Sequence, residues 1–319
     1  MKKYFFIIFI FAIILNTGCE KFTQGLVIDI ELPEHEPVLT PYCFINDTDS
    51  NIMVIVQKSQ GALESNETGF IENATVELYK NGTLWNTIPY NSSDTTINNG
   101  VYEFPINNAF SDEGYGDTYE LRVSAPDFET TTASQTIPTP VKIERLEFNN
   151  DAGASAGQFG SSQHNLKVIF DDPAGEENYY RIQVKSDFLI INPSSGDTIG
   201  TSNSYGSGPF TTNPSIESAY GGGVIITDKL FDGQKYIADL GIFQGIGVVG
   251  QDVETKVNLE VILFSITRDE YLYQKSLTTY AASSNSLFAE PTLIHTNMTN
   301  GLGVFSMIST DVEEAGFEF

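Results

Sequence analysis

Gly153-Ala154-Ser155-Ala156-Gly157 spells G-x-S-x-G, the spacing that holds a nucleophilic serine on a strained strand-to-helix turn. The next residues, QFGSSQH, form another run of mostly small polar side chains, and the chain nowhere alternates strand and helix patterns as that fold requires. The match therefore reads as chance in a small-residue loop. His35, His164 and His295 are scattered, so they offer neither an i, i+4 pair nor a Cys/His cluster for zinc. Each reads as a surface or loop histidine. Asp47-Thr48-Asp49-Ser50-Asn51 begins like a calcium loop. Its sixth position, however, is Ile52 where a glycine must turn, and its twelfth is Lys58 where a bidentate carboxylate must close the shell. Asp171-Asp172 and the loop around Asp151 carry hard oxygen donors, so an adventitious calcium ion there stays open as an alternative. These patterns predict no catalytic residue, no dedicated metal site and no cofactor.

Cys19 does have a chemical context. Lys2 and Lys3 precede an unbroken apolar run over residues 4–15, YFFIIFIFAIIL. That run falls short of the about 20 residues a bilayer span needs. Thr17 and Gly18, both small, then lead into the cysteine. This is the pattern of an export signal whose cleavage leaves a cysteine at the new N-terminus for acylation. It resembles the bacterial lipobox, with Asn16 at the usual aliphatic position and Leu15 one step earlier. Residues 1–18 are expected to be a lipoprotein signal peptide and Cys19 the site of lipid attachment. Each buried CH₂ of an acyl chain contributes about 0.8 kcal/mol, so a multiply acylated cysteine is a stable anchor. With Cys19 acylated, Cys43 has no partner for an internal disulfide and reads as a small buried hydrophobe.

Residues 19–37 hold Asp29, Glu31, Glu34 and Glu36 together with Pro33 and Pro37. Such a stretch cannot build a core and reads as a lipid-anchored acidic tether running into the first strand. The chain as a whole carries 16 Lys and Arg against 42 Asp and Glu, a net charge of −26. A surface of that sign repels phosphate backbones and anionic head groups, which excludes nucleic acid as a partner class.

From residue 38 onward the hydrophobic period is two. Ile52, Val54 and Val56, then Val76 and Leu78, then Tyr119, Leu121 and Val123, alternate with outward residues and predict half-buried strands. Asn81-Gly82 and Asn99-Gly100 supply the turns between them. About seven strands over residues 38–136 argue for an antiparallel sandwich. Pro138 and Pro140 mark a boundary, giving an N-terminal sandwich over 38–140 and a C-terminal one over 141–319. In the second, strands are predicted at 142–148, 165–170, 179–191, 234–243 and 256–266. Residues 192–223 read as a long Gly/Ser/Asn loop with almost no aliphatic residue, in which Tyr205, Phe210 and Tyr220 are candidate contacts for a partner or ligand. Thr267 with Glu270 three positions later is a capping box opening one short helix. That helix is expected to set Leu272 across the end of the sandwich. Residues 311–319 are expected to be an acidic, partly exposed tail.

Several of these segments carry a resemblance. FIENATVELYKNG, NNGVYEF and GDTYELRVSAPDFETTTAS look like a β-sandwich of the transthyretin or carboxypeptidase-regulatory type, and HNLKVIFDDPAGEENYYRIQV resembles strands of a fibronectin type III-like sandwich. The order of CEK, ENATVELYKNG, NGVYEF, DDPAGEENYYRIQV, EYLYQKSL and FAEPTLIHTNMTNGLGVFSMIS resembles the Bacteroidota lipoprotein family catalogued as domain of unknown function 4249. The resemblance implies an all-β cell-envelope lipoprotein, often encoded beside TonB-dependent outer-membrane receptors, and brings no catalytic residues. The expected function is a non-enzymatic binding or accessory module at the outer membrane, facing the cell surface and touching a β-barrel receptor. The alternatives are a periplasmic orientation and a structural or adhesive lipoprotein without a transporter partner.

Overall fold

The computed structural model describes residues 35–61, 69–92, 100–106, 114–149, 162–204, 211, 213–244, 253–284 and 292–318. The period of two becomes strands wherever it was strongest. Among the described residues the N-terminal half forms β1 (Leu39–Asn46), β2 (Asn51–Lys58), β3 (Thr75–Lys80), β4 (Thr83–Ile88), β5 (Val101–Pro105), β6 (Thr118–Ser124) and β7 (Thr131–Thr136). Ile52, Val54 and Val56 are buried on β2, as are Val76 and Leu78 on β3 and Tyr119, Leu121 and Val123 on β6. Asn81 and Gly82 both take positive φ, 49° and 78°, so the two-residue link from β3 to β4 twists with its strands.

The C-terminal half adds β8 (Ile143–Asn149), β9 (Ser162–Asp171), β10 (Tyr179–Ile191), β11 (Thr198–Ser204), β12 (Ile216–Ser218), β13 (Val224–Thr227), β14 (Lys235–Gln244), β15 (Glu254–Ile266), helix α1 (Arg268–Ser284) and β16 (Val304–Glu318). One sheet of nine strands runs β12-β13-β10-β15-β16-β1-β2-β5, with β11 also paired to β10. A four-stranded sheet, β4-β3-β6-β7, and a three-stranded one, β14-β9-β8, complete the set. The protein is thus all-β and sandwich-like, with one α-helix among the described residues.

Two main hydrophobic cores form among the described residues. The first joins Cys43, Ile45, Val54, Leu78, Tyr119 and Leu121 with Phe305 and Met307 of the last strand, and the second joins Val168, Phe170, Ile182, Leu240, Val261 and Leu263. The large sheet is common to both cores, and residues 37–319 form one compact unit. Cys43 is fully buried, as a small hydrophobe would be.

The antiparallel pattern holds among the described strands with one exception: β1 runs parallel to the start of β16, Tyr42 opposite Val304 through Asn46 opposite Ile308. Three other expectations need correction. Residues 311–318 are not a tail but the second half of β16, paired with β15 from Asp311 opposite Leu263 to Glu318 opposite Lys256. The 192–223 segment is not structureless: β11 pairs along β10 and β12 along β13 through backbone bonds that need no aliphatic residue. Finally, α1 lies on the outer face of the large sheet and not across a sandwich end. Tyr271 joins a third cluster with Tyr179, Ile225 and Ile266, whose neighbours Tyr180 and Ile226 point the opposite way into the second core.

Candidate functional site

The helix start organises a set of polar side chains. The Glu270 backbone N–H donates to Thr267 Oγ1 at 3.3 Å, the predicted cap. One position earlier, Asp269 accepts from Gln135 of β7 at 2.6 Å and pairs with His295 Nε2 at 2.9 Å. His295 begins a short wall. Its backbone N–H donates to Ser276 Oγ at 2.9 Å, and Asn297 bonds both the N–H and the C=O of Phe305, at 3.0 and 2.7 Å. Thr299 bridges to Thr132, and the Leu302 N–H donates to Leu39 O at 2.9 Å, which lays the wall along β1.

Between that wall and the ends of β1 and β2 lies a groove of about 590 Å³, lined among others by Tyr42, Lys58, Tyr273, Leu293, His295 and Leu302. Phe44 packs on Tyr273 with ring centroids 5.8 Å apart. Burial, and after it the neighbouring Tyr42, Glu270 and Tyr220, pushes the Tyr273 hydroxyl up to about 12. Burial alone raises Tyr42. Both are therefore neutral hydrogen-bonding groups at physiological pH. Asp269, His295 and Ser276 are the residue types of a nucleophilic triad, but the Ser276 hydroxyl donates to the Tyr273 carbonyl at 2.8 Å and accepts from the backbone of His295. That geometry ties the wall to the helix and leaves no hydroxyl-to-imidazole proton path.

Burial works to raise Asp269, but its bonds from His295 and Gln135 outweigh this and hold its carboxyl below the usual value of 3.8. A lowered folded value means the stabilisation is present above the unfolded pKa and is lost as pH falls through the folded one. Asp269→Asn is expected to cost about 1 kcal/mol at pH 7 after allowing for partial exposure. The gap from wild type should close below about pH 4. Urea unfolding at both pH values checks this; an unchanged gap at low pH would remove Asp269 as the titrating tie.

A second acidic group sits at the edge of the second core. Carboxylate oxygens of Asp172, Asp228 and Asp232 lie within 4.8 Å of one another. Tyr180 and the Gly233 N–H donate to Asp172, the Asn178 N–H to Asp228 at 2.7 Å, and the Gly175 N–H to Asp232 at 2.8 Å. Burial, then the charges of Asp172, Asp232 and Glu177, raise the Asp228 carboxyl against the Asn178 bond. The hard oxygens match calcium chemistry, and each already accepts a bond that staples one turn to another. Of the adjacent pair read from the sequence, Asp172 belongs here, while Asp171 is exposed and 3.5 Å from Lys235.

Tyr220, half exposed, stands at the tip of the β12–β13 hairpin. Arg181 of β10 donates to Gly222 O in the hairpin turn at 3.2 Å, and Glu217 of β12 accepts from Tyr271 and Lys275 of α1, so the hairpin is fixed to both elements. Tyr220 also lies near enough to Tyr273 to act on its ionisation. Cys19, Tyr205, Phe210, the Asp151 loop and the 153–157 motif lie outside the described residues. His164 departs from expectation: it is buried on β9, its ring stacked between Phe148 and Phe188 at 5.4 and 5.3 Å. Sequence reasoning missed the Asp269–His295 tie; the capping box placed Asp269 in a first turn, but nothing local named its partner.

Among the described residues no helix is long and apolar enough to cross a membrane. A search of curated proteins finds no match. Among solved structures, the B domain of a biofilm-associated protein aligns at 8% identity over 86% of this chain and 85% of that one, with a TM-score of 0.18. The family model described as "Domain of unknown function (DUF4249)" matches residues 27–314, most of the chain, and the protein belongs to that family.

Proposed function

We propose that this protein is a cell-envelope lipoprotein, a non-enzymatic binding or accessory module held at the outer membrane through lipid on Cys19. In this reading it faces the cell surface and serves a β-barrel receptor of the TonB-dependent kind. The observation that carries the contact surface is Tyr220, held out at 50% exposure on a hairpin fixed at its turn by Arg181 and on β12 by the Glu217–Tyr271–Lys275 set. An aromatic ring presented on a rigid support gives a partner contact area at low entropic cost. The polar side chains at the helix start and groove wall, Asp269, His295 and Ser276, are spent on holding one another, which supports a binding surface over a reactive one.

The test is a detergent pull-down of full-length protein from its native membrane, with Cys19→Ala alongside and mass spectrometry of the N-terminal peptide. The expected result is an acylated wild type that brings down an outer-membrane barrel, a variant that loses both, and Tyr220→Ala that keeps the lipid but recovers several-fold less barrel. An acylated protein that comes alone would move the reading to a structural or adhesive lipoprotein. Resistance of intact cells to surface proteolysis would place it on the periplasmic side.

A further inference from the structure

The groove wall ends in side chains that the fold leaves in water. Leu293 is 92% exposed, Ile294 41% and Leu302 44%, and all three line one groove. Their position along the chain gives the cluster meaning. The Leu302 N–H donates to Leu39 O, and across the groove Val38 and Ser59 exchange bonds of 2.8 and 2.9 Å. The apolar cluster therefore flanks the place where the chain arriving from Cys19 joins the folded body. The same lining carries Lys58 and His295 and no carboxylate among the described residues, on a chain of net charge −26.

We propose that Leu293, Ile294 and Leu302 form a foothold on a lipid surface, the membrane holding the Cys19 anchor, so that the groove mouth faces the bilayer. This rests on the lipid-anchor reading above. Residues 20–36 cannot extend beyond about 60 Å, so an anchored body meets the bilayer from within that distance, beginning at its Leu39 side. Tethering turns the second contact into an intramolecular event at high effective concentration. A three-residue foothold too weak to recruit the protein from solution is then occupied. Among the described residues the groove lining holds no carboxylate, so this side of the body meets a lipid surface with less repulsion than its acidic faces.

The test reconstitutes full-length, acylated protein into phosphatidylcholine vesicles, with an environment-sensitive fluorophore on Leu293→Cys or Leu302→Cys. Leu230→Cys, at a site 76% exposed on the turn after β13, is the reference. Cys43 does not compete for label, being fully buried with its thiol pushed far up by desolvation. The expected result is a blue shift and a several-fold loss of emission with spin-labelled lipid at 293 and 302, and neither at 230. In parallel, vesicles should slow hydrogen exchange over 292–303 in wild type but not in Leu293→Ser/Ile294→Ser/Leu302→Ser. Water-like emission at 293 and 302 from protein that floats with the vesicles overturns the foothold and leaves the anchor standing. Protein that neither floats nor carries acyl mass overturns both. Shielding in native membranes but not in lipid vesicles assigns the cluster to a protein partner and overturns the lipid occupant.

Discussion

Gly303→Ala is expected to destabilise the protein by more than about 3 kcal/mol, read as a lower urea midpoint at unchanged slope. Gly303 sits at φ +93°, and a Cβ there would lie 2.0 Å from Pro41 O and 2.9 Å from Pro41 C, both backbone atoms of β1. No side chain can rotate away to make room. The strand must shift where Tyr42 pairs with Val304, the first rung of the parallel β1–β16 ladder, and the groove wall shifts with it. Gly82→Ala separates the two causes, since Gly82 has φ +78° with nothing within 4 Å of the added carbon. That control is expected to cost about 1 kcal/mol from backbone strain alone. If Gly303→Ala were no worse than Gly82→Ala, the close approach of the turn to β1 would be disproved.

Arg181→Met is expected to cost about 3 kcal/mol at pH 7. Glu270 is 1% exposed beneath α1, and burial raises its carboxyl; the Gln274 amide, the Arg181 charge and the nearby Ser306 pull it back. Arg181 lies over the Phe264 ring at 5.8 Å and is itself lowered by desolvation, with Glu270 opposing. Removing the cation leaves a buried carboxylate without its counter-charge and frees Gly222 O in the turn that carries Tyr220. Because the folded value of Glu270 lies above its ordinary 4.5, the native state takes up the proton first as pH falls and the burial penalty lifts. The deficit of Arg181→Met should therefore shrink between neutral pH and about 4.5. Arg181→Met/Glu270→Leu, which removes both charges, should recover most of the loss. A single variant unfolding at the wild-type midpoint at pH 7 would show that Arg181 is not what compensates Glu270.

Glu270 also marks how far the sequence reaches. As a capping-box residue it is expected to turn back to the helix start, and its backbone does bond Thr267; its side chain instead goes under the helix, where Gln274 donates to it at 2.8 Å. The cap is a contact within three residues, while the side-chain environment comes from β10 and β16. The same division runs through the fold. Alternation on β2, β3 and β6 states which side chains go inward, because successive Cβ atoms must point to opposite faces, and each of those faces is buried as read. Alternation does not name a neighbour. The parallel union of β1 with β16, the gathering of Asp172 with Asp228 and Asp232, and the pairing of Asp269 with His295 all join residues far apart in the chain. β11, written in Thr, Ser, Asn and Gly around a single Ile199, is a strand because β10 offers it a backbone edge. By itself the sequence determined the β class, the inward faces, the Asn81-Gly82 turn, the helix start and the family likeness, since each depends on sterics or spacing over a few residues. The tertiary structure decided which strands meet, which charges are buried together and which leucines are left in water, since those depend on long-range pairing of backbone groups that are the same in every residue.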